Sequence, residues 1–96
     1  RALREILLIT PPELDAHVRG VMDRVVAEYG FRSYTSYVAK VGRAQFIEIH
    51  IAVTDDTRLG NVATVDAIRR DIAQAIGGTG PDVWLTIDFT ADPDWL

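Results

Sequence analysis

Ala44-Gln45-Phe46-Ile47-Glu48-Ile49-His50-Ile51-Ala52-Val53 alternates without a break. Ile47, Ile49, Ile51 and Val53 fall on every second position, the period of a β-strand with one face in a core, and all four are β-branched. A helix turns through 3.6 residues and would scatter them around its axis. The opposite face of this strand carries Phe46, Glu48, His50 and Ala52. That mixture is unusual for a surface meeting only water, so something is expected to cover or use it.

Reading outward, residues 31–40 are rich in Tyr, Ser, Thr and Val and predict a first strand, joined to the next by a hairpin turn at Val41-Gly42-Arg43. Upstream, Leu14, Val18, Val21, Met22, Val25, Val26 and Tyr29 keep helical spacing for four turns, and Gly30 suits the residue just past the end. Thr10 is expected as N-cap, Pro11 as the first helical residue, and Glu13 as the partner in a capping box. Downstream, the polar loop 54–60 leads to a second helix, capped by Asn61 or Thr64, with Val65, Ile68, Ile72 and Ile76 turned inward. The run Gly77-Gly78-Thr79-Gly80-Pro81 stops it. In a third strand Val83, Leu85, Ile87 and Phe89 alternate with Trp84, Thr86 and Asp88, and residues 92–96 form a tail expected to be less ordered.

The order is α-β-β-α-β, an α+β fold in which both helices cover the aliphatic face of a three-stranded mixed sheet. The crossover helix between the last two strands makes them parallel, with a right-handed connection. If they are neighbours, His50 and Asp88 share the uncovered face with Glu48, Trp84 and Thr86.

With 96 residues, 48% hydrophobic and 25% charged, the chain fits one compact domain. A domain of this size buries roughly two-thirds of its unfolded surface, so a partner surface would add materially to its stability. The net charge of −4 and the scattering of the 10 basic residues argue against nucleic acid as a partner. There is no cysteine, so any metal must be held by His and carboxylates. No apolar run approaches the 18 or so residues that cross a bilayer, and no signal peptide is visible. The chain opens on Arg1 and is expected to be a piece of a longer protein, with residues 1–5 as a tether.

An enzyme reading lacks parts. Ser33 and Ser36 have no obvious histidine partner, and Gly77-Gly78-Thr79-Gly80 follows a helix instead of preceding one as a phosphate loop would. His50 with Asp88 could in principle be a base and its orienter, but nothing completes the set.

Leu7-Leu8-Ile9-Thr10-Pro11-Pro12-Glu13-Leu14, Gly42-Arg43-Ala44-Gln45-Phe46-Ile47-Glu48-Ile49-His50 and Trp84-Leu85-Thr86-Ile87-Asp88-Phe89-Thr90, in this order and spacing, resemble the cytoplasmic C-terminal domains of cation diffusion facilitators. The resemblance implies a ferredoxin-like or metallochaperone-like αββαβ sandwich. It makes residues 1–9 the linker from a transmembrane domain, 10–91 the cytoplasmic domain and 92–96 the tail. It also implies a homodimer at the cytoplasmic face of the cell membrane, regulating a divalent-cation efflux transporter of the zinc, manganese or iron class. By position, His50, Asp88 and Asp66 match metal ligands of that family. Thr86 replaces another last-strand ligand, and the first strand offers only Thr35, Ser36 or Tyr37. One histidine among oxygens implies a weaker, oxygen-rich site for Zn²⁺, Mn²⁺ or Fe²⁺.

Each of these residues also has a plainer reading. His50 could be a polar residue on a sheet face, hydrogen-bonded to Glu48, Thr86 or a partner chain. Asp66 stands four residues before Arg70, the spacing of an ordinary helix ion pair, and Glu48 could pair with Lys40 or Arg43. Trp84, with Phe46, Glu48 and Thr86, is read as a homodimer contact, because a large aromatic on an uncovered face leaves apolar area in water. His17, at the flank of the first helix, is expected at the surface. The alternative function is a free-standing ferredoxin-like or ACT-like module that binds a small metabolite between subunits.

Overall fold

The computed structural model describes residues 9–54, 59–77 and 80–96. The linker expected over 1–9 therefore lies, except for Ile9, outside the described residues, as do residues 55–58 of the polar loop and residues 78 and 79. The observed order is α1 (Pro12–Tyr29), β1 (Ser33–Val41), β2 (Ala44–Ala52), α2 (Val62–Ile76), β3 (Val83–Thr90) and a 3₁₀ turn at Pro93–Trp95.

The start of α1 differs from expectation by one residue. A residue before proline is pushed out of the helical region, because the proline ring crowds its backbone. Pro11 precedes Pro12 and is extended, at φ −72° and ψ 115°, so it becomes the N-cap and Pro12 the first helical residue. Thr10 then lies too far out to cap. Pro11 has no side-chain oxygen to replace it, and its carbonyl accepts from Asp15 N at 2.9 Å. At the other end Gly30 takes the left-handed conformation, φ 73°, and donates to Val26 O at 3.0 Å, closing the helix.

β1 and β2 form the expected hairpin, paired from Ser33↔Ala52 to Val41↔Ala44 around a two-residue turn. Gly42 in that turn has φ 59°, a conformation that other residues adopt only with strain. Of the two cap candidates for α2, Asn61 is used, its Oδ1 accepting from Thr64 N at 2.9 Å. β3 returns parallel to β2, giving the sheet order β1-β2-β3. Ile9 exchanges both backbone bonds with Lys40 on the outer edge of β1, at 3.3 and 2.7 Å.

The tail is better formed than expected. Asp92 caps its 3₁₀ turn by accepting from Asp94 N at 3.0 Å, and Thr90 Oγ1 accepts from Asp92 N at 3.0 Å.

The core is the aliphatic layer anticipated from the alternation. Val18, Met22 and Val25 of α1 and Ile68, Ile72 and Ile76 of α2 pack with Val38, Ile47, Ile49, Ile51 and Ile87 of the sheet. Full burial of each such side chain contributes about 1.5–3 kcal/mol, which is what holds two helices on one face. His17 is exposed, as expected, and its Nε2 donates to Ile76 O at 3.2 Å, satisfying one of the carbonyls that a helix end leaves open. Among the described residues no helix is long and apolar enough to cross a membrane.

Candidate metal centre on the open sheet face

The pairing register sorts the uncovered face into rows running across all three strands. Thr35, His50 and Asp88 form one row; Tyr37, Glu48 and Thr86 the next; Ala39, Phe46 and Trp84 the third. Two ladders thus bring together residues that are far apart in the chain.

In the first row His50 lies between two carboxylates. Its Nδ1 is 2.7 Å from Asp88 Oδ1 and its Nε2 is 3.3 Å from Glu48 Oε1. Both bonds form fully only when the ring is doubly protonated. The Asp88 hydrogen bond accordingly raises the imidazole pKa above its usual 6.5; burial opposes the rise, and charge attraction to Asp88 and the Glu48 contacts support it. The ring of Tyr37 meets the imidazole edge-on, with centroids 6.2 Å apart. Thr35, directly opposite His50, keeps its Oγ1 buried and without a hydrogen-bond partner among the described residues.

The third row is apolar. Phe46 and Trp84 stack at 6.3 Å with their planes 14° apart, yet Trp84 remains 62% exposed, and Tyr37 beside them is 59% exposed. An aromatic group of this size is the kind of surface that proteins place at interfaces.

Of the three ligand candidates, the structure joins His50 to Asp88 and leaves Asp66 elsewhere. Asp66 belongs to α2 on the aliphatic side of the sheet and pairs with Arg69 at 3.2 Å, three residues on, instead of with Arg70. Arg69 is drawn into that position because its Nε donates to Ile87 O at 2.9 Å and its guanidinium lies 5.5 Å over the Phe89 ring. Glu48, placed by sequence at an interface, is the second hydrogen-bond partner of His50. Among the described residues there is no group of three or more His, Asp or Glu set to share an ion.

Beside the His50–Asp88 pair opens a cavity of about 500 Å³, lined by His50, Asp88, Phe89, Thr90 and Trp95. Trp95 was not singled out in the sequence; only its place in the 3₁₀ turn brings it there. His50 and Asp88 offer this cavity one imidazole nitrogen and a carboxylate, a nitrogen-poor pair, whereas Thr35 lines a separate hollow with Arg19, Tyr34, Ser36 and Tyr37. The pair fits a weakly held, partly hydrated divalent ion, not a closed four-ligand zinc site. Because both ring nitrogens face carboxylates that favour the protonated ring, a proton competes with such an ion for the lone pair of His50.

No protein-family model and no curated protein matches the sequence. Solved structures do match it in fold. A structure of CzrB, described as a zinc transporter, superposes with a TM-score of 0.61 at 20% identity, covering 84% of this chain and 95% of that one. Its Zn form gives 0.62 at 18% identity, covering 88% and 90%. The metal-bound C-terminal domain of the CzcD transporter from Thermotoga maritima gives 0.53 at 19% identity, covering 84% and 92%. At these identities the likeness shows a shared α+β fold, with a three-stranded mixed sheet and two helices.

Proposed function

We propose that this chain is the C-terminal cytoplasmic domain of a cation diffusion facilitator, acting as a dimerising, ion-sensing regulatory module of a divalent-cation efflux transporter and not as an enzyme. The observation that carries the reading is the His50–Asp88 pair, set in register on the open face of a fold shared with domains of metal transporters. The expected residues 1–9 would then link it to the membrane-spanning part of the same chain.

On this reading Phe46 and Trp84 meet a second copy, with Glu48 and Thr86 at the rim, while His50 and Asp88 receive Zn²⁺, Mn²⁺ or Fe²⁺. The open face is made of hydrogen-bonded strands, so an ion there deforms it little. What it changes is the relative placement of two paired domains. An ion shifts that equilibrium only through unequal affinity for the two placements, and a coupling of about 1–3 kcal/mol suffices for regulation. The enzyme alternative has only the His50–Asp88 pair to rest on, because among the described residues the cavity beside it is lined by no serine and no second histidine.

The test combines light scattering with distance measurements between spin labels at the exposed Gln74 of α2, with and without Zn²⁺ and Mn²⁺. A dimer whose label distances narrow or shift on ion binding is expected. A strict monomer at high micromolar concentration, or a dimer indifferent to saturating ion, would remove the sensing role.

A further inference from the structure

We propose that the cavity beside His50 and Asp88 binds a small organic cation of the alkylammonium class, held by the Asp88 carboxylate and flanked by the ring of Trp95. The inference goes beyond the ion-sensing reading above, because it concerns a second ligand that competes with a metal ion for Asp88.

Three observations lead to it. First, the cavity measures about 500 Å³. That lies in the range of small-ligand sites, about 300–1,000 Å³, and far exceeds the room of a bare ion, since one water takes about 30 Å³. Second, Asp88 is the polar group still open to a ligand. His50 is engaged at both nitrogens, and Thr90 Oγ1 exchanges hydrogen bonds with the backbone of Asp92, whereas Asp88 uses only Oδ1, toward His50. Among the described residues that line the cavity there is no Lys or Arg to neutralise it. Third, Trp95 is 75% exposed and stands outside the core cluster. Its turn is fixed by Asp92 and Thr90, so the indole is set beside the cavity by local hydrogen bonds, with no packing role to account for it.

A ring beside a carboxylate is the chemistry that recognises ammonium groups. The π-face of an indole attracts a cation, and more strongly once the water between them is gone. Alkyl groups ease that step, because they spread the charge and weaken its hydration. A metal ion with its tightly held waters gains little from the same wall. One ring of the cavity already shows the interaction, since the Arg69 guanidinium lies 5.5 Å over Phe89. Trp95 is the ring left for a ligand.

The test titrates the 96-residue chain with tetramethylammonium chloride and with tert-butanol, a neutral molecule of similar shape, at constant ionic strength and read by ligand-observed NMR. The ammonium should bind and the alcohol should not. Trp95→Ala and Asp88→Asn should each weaken binding about fivefold, the size of a partly exposed cation–ring contact, and Trp95→Phe about twofold. ZnCl₂ should displace the ammonium. Equal binding of the alcohol overturns the proposal, because the cavity is then an apolar hollow without charge selection. No binding of the ammonium overturns it too, as does an affinity that Trp95→Ala and Asp88→Asn leave unchanged. Zinc bound alongside the ammonium without competition overturns the shared use of Asp88 on which it depends. Ammonium binding by a chain that takes up no zinc upholds the proposal and removes the ion-sensing reading, so the two fail separately.

Discussion

Nδ1 of His50 stands 2.7 Å from Oδ1 of Asp88 across a parallel pair of strands, and this contact is the largest cause of the raised imidazole pKa. A pKa raised on folding contributes stability that is fully present below the unfolded value of about 6.5 and is lost as pH rises through the folded value. Asp88 and Glu48 are each more than half exposed, so solvent screening keeps the contribution below about 1 kcal/mol. Urea unfolding should therefore show Asp88→Asn destabilised relative to the unaltered chain at pH 6 and nearly equal to it at pH 8.5. A gap that widens toward alkaline pH would contradict the assignment.

The same proton competes with any cation for His50. Zinc affinity measured by calorimetry should fall as pH is lowered from 8 to 6, approaching tenfold per pH unit once the ring is mostly protonated. His50→Ala should abolish both the binding and its pH dependence.

Trp84 and Phe46 form one stacked unit, so truncating either should expose the other. If they are the centre of a dimer contact, Trp84→Ala should weaken association by about 2 kcal/mol or more, roughly thirtyfold in dissociation constant. Sedimentation across a concentration series would read this. Unaltered association would move the interface elsewhere.

Ile49 lies at the middle of the central strand with no exposed surface. Ile49→Ala should cost about 2–5 kcal/mol, combining lost transfer energy with an unfilled cavity. Thermal unfolding is the measurement, and a loss under 1 kcal/mol would mean that the two helices close over the gap.

Two glycines should respond in opposite directions. Gly20 sits inside α1, where an added Cβ would meet nothing within 4 Å, so Gly20→Ala should stabilise by about 0.5–1 kcal/mol. Gly42 has φ 59° in the hairpin turn, and Gly42→Ala should cost about 1–2 kcal/mol despite equally open space. Equal effects would show that side-chain room, not backbone conformation, decides.

The sheet was legible because its signals are periodic. Alternation over 44–53 and 83–89, with a helix between, fixed not only the strands but the pairing of His50 with Asp88. What escaped depended on contacts between distant elements or on one competing local rule. The capping motif at Thr10 was overridden by the effect of Pro12 on Pro11. The partner of Asp66 was decided by Ile87 O, which holds Arg69 and which no helix spacing reveals. His17 became an inter-helix tie only because α2 ends beside it. The bond from Glu48 to His50 was anticipated as one of three possible partners, and the side-chain placement selects it. Trp95 is brought to the cavity by a turn that its short polar context did not announce.

Arg69 lies along the outer edge of β3, its Nε bonded to Ile87 O and its plane over Phe89. A free sheet edge is a template on which further strands can crystallise, and here one end of the template is stoppered by a side chain that would have to lose three contacts to let a newcomer in. At the other edge Ile9 holds one position of β1 by its paired bonds with Lys40. A strand arriving from either side must therefore break an existing contact before it can lengthen the sheet, a barrier that the open aromatic face does not present.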